Sequence, residues 1–117
     1  MLSVKKLLER KAMPNLWSVT PHHMVIDALE LMAEKNIGAV LVMDGAHLVG
    51  IFSERDYARK GIIKGRKAKS TPITEVMTAN VFTVTPEMNI NDCMALFGEK
   101  RIRHLPVKEG DRITGLL

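Results

Sequence analysis

Two matched series of apolar positions organise this chain. Val25, Ala28, Leu29 and Met32 fall at i, i+3, i+4 and i+7, and Ile90, Cys93, Met94 and Phe97 repeat that spacing. Each series predicts a helix with one buried stripe, its methionines serving as core filler. Cys93 takes the position of Ala28 and reads as a small core residue. Behind the first series come "AVLVM" (39–43) and "HLVGIF" (47–52), two short β-rich runs. A turn at Asp44-Gly45 would join them, glycine allowing positive φ. "ERDYARKGII" (54–63) then reads as a closing helix. Ahead of each series Val-Thr-Pro ends a short strand, with the proline fitting the first helical turn.

The matching is a duplication. Shifted by 65, residues 18–52 fall on 83–117 without a gap, and 11 of the 35 pairs are identical. "EKNIGAVLV" meets "EKRIRHLPV", and "DGAHLVGI" meets "EGDRITGL". A leading helix at "SVKKLLERK" (3–11), with Val4, Leu7 and Leu8 at helical spacing, has a counterpart in "ITEVM" (73–77), displaced by four further residues. The repeats thus divide as 1–69, with the leading helix and linker, and 70–117, which stops where its closing helix would begin. That stop reads as a trimmed chain. Between the copies, "KGRKAKS" (64–70) reads as a solvated basic loop, with nucleic-acid contact as the sharper alternative.

Composition narrows the function classes. The chain has 117 residues, 46% hydrophobic and 26% charged, as in an ordinary globular domain. No apolar run reaches the roughly 18–20 residues that span a bilayer, and no signal-peptide pattern opens the chain. One cysteine excludes an internal disulfide framework and fits the cytoplasm. A net charge of +4 is compatible with anionic ligands, while five aromatic residues stock few base-stacking surfaces. Paired catalytic carboxylates, Cys/His ligand spacing and a Gly-rich phosphate loop are absent from the sequence, which argues against an enzyme. The adjacent His22 and His23 sit at a predicted helix start, diverge, and read as surface residues.

Two constellations carry chemistry. Ser53 and Asp56 stand where a strand passes into a helix, spaced as an N-terminal cap. The same turn offers free N–H groups to a phosphate, and a carboxylate accepts well from two vicinal hydroxyls such as those of ribose. The second constellation is "RIRHLPV" (101–107). Its twin is "NIGAVLV", so Arg101, Arg103 and His104 replace Asn36, Gly38 and Ala39. The scaffold itself therefore does not require this charge. Arginine's planar fork and a histidine suit an anion, phosphate above all.

The ordered set, V-x-P, helix, "IGAVLV", turn, "LVGIFSERD" and then the same again with "RIRHLPV", resembles a tandem CBS-domain pair (a Bateman module) over nearly the whole chain. The resemblance is greatest to small stand-alone bacterial proteins of that type. It implies an α/β fold of two pseudo-twofold-related repeats, each with a small sheet and two helices, the second truncated. It also implies a non-enzymatic regulatory module that binds an adenosine-containing nucleotide in the cleft between repeats. AMP or NAD leads among the ligands, with ATP or S-adenosylmethionine as alternatives. Carried over by position, the site would use Asp56 for the ribose hydroxyls, Ser53 for sugar or phosphate, and Arg103 with His104 for phosphate. Thr83 and Thr85 would line the base, Ile51 would form an apolar wall, and Arg55 would reach phosphate. The mirror site, with Thr20 and Gly38, would lack its serine and aspartate. The resemblance implies pairing of modules into a disk, and the apolar helix stripes of a chain without its last helix predict a homodimer through the helices; a protein partner is not specified. A nucleic-acid-binding module using the basic linker is the competing reading.

Overall fold

A computed structural model describes residues 2–10 and 16–117, without the side chain of Arg10. Lys11, counted in the leading stretch, lies outside the described residues. The order is α1 (Val4–Arg10), β1 (Ser18–Val19), α2 (Val25–Lys35), β2 (Ala39–Asp44), β3 (His47–Ser53) and α3 (Glu54–Asp56). A π-helical stretch (Tyr57–Ile62) and a 3-10 turn (Ile73–Glu75) follow, then α4 (Ile90–Lys100), β4 (Pro106–Glu109) and β5 (Arg112–Leu116). These are the two mixed α/β repeats that the sequence predicted, the second one shorter.

The 65-residue period holds at the level of atoms. Both long helices end on a left-handed residue, Asn36 and Arg101, each at φ 53°. Both hairpins turn on a positive-φ glycine, Gly45 and Gly110, which bears the left-handed conformation without a Cβ penalty. Their registers slip at the equivalent step, between Val42 and Met43 and between Val107 and Lys108. The Lys35 ammonium lies 4.3 Å from the Trp17 ring centroid, and Lys100 lies 5.3 Å from that of Phe82. Each of these cation–π contacts ties a helix C-terminus to the start of its own repeat.

The chain forms two compact units that regroup the sequence periods. Trp17–Val81 makes a central unit, and Met1–Leu16 with Phe82–Leu117 makes a terminal unit. In the central unit β1 runs parallel to β2 and β3 runs antiparallel to it. Val19, Val25, Ala28, Met32, Val40, Val42, Phe52, Ile73 and Val76 form its core. The terminal unit pairs β4 with β5, and Val84 joins by one parallel bridge to Val107. Its core is Val4, Val84, Cys93, Leu105 and Val107. Burial first, and Asp92 second, raise the Cys93 thiol above its ordinary pKa, as befits a packed residue that stays neutral.

The leading segments cross over between the periods. Val4 N–H donates to Met88 O at 2.8 Å, and its counterpart Ile73 N–H donates to His23 O at 2.9 Å. Ser3 bridges Asn89 while Pro72 bridges Met24, so the four-residue offset read from sequence is the real register. Each lead-in therefore packs on the body of the other period.

Three local expectations need correction. Pro21 and Pro86 do not enter the first helical turn: they open turns, and the helices begin at Val25 and Ile90. His22 and His23 share the first of these turns, where His23 Nδ1 accepts from Thr20 N–H at 2.9 Å. Met94 is 63% exposed, and Leu96 packs on the core in its stead. The closing helix exists but winds wide after Asp56, with Ile63 N–H bonding Ala58 O at 3.1 Å.

The periodicity has a steric consequence at a second glycine pair. A Cβ on Gly50 would lie 2.5 Å from Met77 Sδ and 3.1 Å from the Thr78 carbonyl oxygen; one on Gly115 would lie 2.5 Å from Leu8 Cδ1. The leucine can rotate away, whereas the Thr78 carbonyl is fixed by its bond from Ile51 N–H at 2.9 Å. Gly50→Ala is expected to destabilise by about 1–3 kcal/mol, the range for overpacking, and Gly115→Ala by less. Urea midpoints of the two variants check the order.

Candidate functional site

The turn from β3 into α3 is built by reciprocal bonds. Ser53, in extended conformation at φ −127° and ψ 167°, accepts the Asp56 N–H on its Oγ at 3.2 Å. Asp56 Oδ2 in return accepts the Ser53 N–H at 2.9 Å and the Ser53 hydroxyl at 3.0 Å. Two orphan donors at the helix start are thereby satisfied. Asp56 Oδ1 accepts the Thr78 hydroxyl at 3.0 Å and faces Lys60 Nζ at 3.6 Å. The carboxylate is only 13% exposed, accepting three hydrogen bonds and facing one ammonium as an ion pair. Lys60 also donates to the Met77 carbonyl at 3.2 Å.

Sequence reading found Ser53 and Asp56 but missed Thr78 and Lys60. Lys60 was visible in principle, four residues beyond an acid on a helix. Thr78 was not, since 22 residues separate it from Asp56. Ile51 is 8% exposed and exchanges two backbone bonds with Thr78, at 2.9 and 2.8 Å. Arg55 is half-buried on α3. Ser53 pairs with Ala39 across the hairpin, and Glu54 N–H reaches Gly38 O at 3.1 Å.

The other predicted residues belong to the terminal unit. Val84 points into its core, leaving Thr83 and Thr85 exposed on either side. Val84 is held by a bond to Pro106 O at 3.0 Å and one from Lys108 N–H at 2.8 Å. Arg103 is exposed and His104 half-buried, immediately before the buried Leu105-Pro106-Val107 run. Arg101 is the left-handed helix cap, its N–H bonding Phe97 O. A cavity of about 300 Å³ in the terminal unit, lined among others by Leu8, Glu9, Pro86, Glu87, Glu109 and Leu116, holds none of the predicted residues. Its three carboxylates outnumber its one cation, Lys5, which disfavours phosphate.

The repeats match a known family. The family model for the CBS domain matches residues 4–62 and 73–117. The chain belongs to the CBS domain family. It is 39% identical to the CBS domain-containing protein CBSX3, mitochondrial, of Arabidopsis thaliana, over 87% of this chain and 52% of that protein. To YhcV of Bacillus subtilis it is 30% identical, over 86% of this chain and 71% of the relative. It thus spans about half the length of the Arabidopsis relative. Among solved structures, a CBS-domain protein from Burkholderia ambifaria superposes with a TM-score of 0.91 at 46% identity, covering 98% of this chain and 86% of the other. The CBS domain pair of protein MJ0100, in complex with 5′-methylthioadenosine and S-adenosyl-L-methionine, shares the fold at 23% identity and TM-score 0.86, covering 100% of this chain and 89% of that one. Among the described residues no His/Cys/Asp/Glu group is placed to hold a metal, and no helix is long and apolar enough to cross a membrane.

The cap makes a separable structural prediction. Ser53→Ala removes one acceptor and one donor and is expected to cost about 0.5–2 kcal/mol, the range for N-caps. Lys60→Met breaks a pair whose cation is 41% exposed; such pairs are worth about 0–1 kcal/mol. Thermal melts of the two variants check the ranking.

Proposed function

We propose that this CBS pair is a regulatory module that binds an adenosine-containing nucleotide, with AMP or NAD the leading ligand. The observation that carries the reading is the Ser53–Asp56 cap: a largely buried carboxylate on a strand-to-helix turn, in a chain that matches the CBS family in both repeats. The adenosine compounds in the MJ0100 domain pair support the ligand class. In this reading Asp56 takes the ribose hydroxyls and Ser53 the sugar or phosphate. Arg103 and His104, with Arg55, meet the phosphates, while Thr83, Thr85 and Ile51 face the base.

The groups already on Asp56 define how a ribose would enter. Its two hydroxyls replace the Thr78 hydroxyl and the Lys60 ammonium, one set of donors for another, so only the difference between them contributes. Thr78→Val removes a competing donor and is expected to raise ribose affinity. We also propose that the module is a homodimer through its helices, since α4 presents Met94 outward and a small two-core chain leaves apolar surface uncovered. Light scattering at tens of micromolar, about where common dimers are formed, is expected to give twice the chain mass.

Calorimetric titration decides the ligand reading. Asp56→Ala is expected to weaken AMP and adenosine alike by about 1–3 kcal/mol, the scale of charge-assisted bonds. Arg103→Ala is expected to weaken AMP, spare adenosine and flatten the salt dependence. Gly38→Ala, whose Cβ would only touch Glu54 Oε1 at 3.5 Å, is expected to change neither. Equal losses for AMP and adenosine in Arg103→Ala would assign the arginine to the fold and sink its phosphate role.

A further inference from the structure

The positive charge of this chain is concentrated in one stretch. Of its 17 basic residues, six fall in 59–69 ("RKGIIKGRKAK") with no acid among them, and the other eleven are outnumbered by the 13 acids. The stretch runs from the end of the π-helix through Ile63 and the turns after it, within the central unit. Two of its cations are committed. Lys60 serves Asp56 and the Met77 carbonyl; the Arg66 guanidinium bonds Lys60 O at 2.6 Å and lies 3.9 Å from Glu75. Arg59, Lys64, Lys67 and Lys69 are exposed, without an ion pair among the described residues.

Apolar exposure coincides with that charge. Ile62 is 60% and Ile63 75% exposed, while Gly61 beside them is buried. Arg59 stands four residues before Ile63 and Lys64 directly after it, so exposed isoleucines and exposed cations share one short stretch. A buried core residue has no reason to sit here, and a solvated basic loop needs no isoleucine.

We infer that residues 59–69 form a docking surface for an anionic lipid bilayer. The cations supply attraction to lipid phosphates, and the two isoleucines supply an apolar wedge for the acyl boundary. Neither feature binds durably alone, and stable peripheral attachment takes a basic patch together with an apolar anchor. Nucleic acid satisfies only the first. The stretch contains no aromatic, Asn or Gln to stack on or read a base, and isoleucine gains nothing from a phosphate backbone.

Vesicle flotation of the full chain tests the inference. With vesicles of about three parts phosphatidylcholine to one of phosphatidylglycerol, a composition that gives a negative surface, the protein is expected to float. With pure phosphatidylcholine it is expected to stay in solution. Ile62→Ser with Ile63→Ser is expected to lower the partition about a hundredfold, the scale of withdrawing two aliphatic side chains from an apolar phase. Lys64→Gln, Lys67→Gln and Lys69→Gln are each expected to lower it about fivefold, the factor for one cation near an anionic surface. Both sets lie on exposed positions, and thermal melts confirm that the variants fold. Three results would overturn the inference: no flotation with either lipid; flotation indifferent to the isoleucine substitutions; or binding to a DNA duplex, with both vesicles ignored and the isoleucine variant unaffected. A change from dimer to monomer in the isoleucine variant, again without flotation, would assign the face to self-association and overturn it equally.

Discussion

The fold depends on an exchange. Val4 and Ile73, both fully buried, begin segments that precede one repeat in sequence and complete the core of the other in space. The backbone bonds that dock them, to Met88 O and to His23 O, span 84 and 50 residues. Neither sequence period therefore owns a complete core. Contacts of such separation are entropically costly to close, so local helix and hairpin formation cannot by itself establish either unit. The two passages between units, at Leu16–Trp17 and Val81–Phe82, follow directly from that exchange.

On this shared scaffold the copies differ where chemistry is possible. Asn36, a residue at ease in the left-handed region, caps α2, while Arg101 holds the same φ of 53° at the end of α4. Arginine is a poorer choice for that conformation, as the Cβ penalty is not offset by a short side chain bonding its own backbone. The strand that follows is just as well buried after Gly38-Ala39 as after Arg103-His104. Packing thus accounts for neither the cap nor the charge in the second copy, whereas the apolar positions beside them are explained by packing alone.

What could be read from the sequence divides along the range of the interactions. The 65-residue period, the first stripe and the second apart from Met94, Cys93 in the place of Ala28, and the Ser53–Asp56 cap are local or self-similar patterns found in space. The four-residue offset of the lead-in was legible as a register, but its crossing to the other body was not, because nothing in a linear comparison distinguishes intra-repeat from exchanged packing. By periodicity alone Met94 fits the stripe of α4 better than Leu96 does, yet Leu96 is the one that packs. Its counterpart Leu29 packs in a core that also receives Tyr57 and Ala68 from the segment after β3; the terminal core receives neither kind of residue among its described members. The wide winding after Asp56 leaves no trace in the spacing of apolar residues.

Thr78 was invisible for the same reason, and it gives the cap a reach that its four residues conceal. Asp56 binds the Thr78 hydroxyl, Lys60 binds the Met77 carbonyl, and Ile51 binds Thr78 through two backbone bonds. The lead-in segment is thus gripped on its last residues before the chain leaves the central unit after Val81. The backbone bonds from Ile51 do not involve the carboxylate. The Thr78 hydroxyl bond ends on the carboxylate itself, whereas the Met77 carbonyl bond reaches it only through Lys60, 3.6 Å from Oδ1. Two kinds of anchor therefore hold this segment, backbone pairing with the sheet edge and side-chain contacts that converge on one carboxylate.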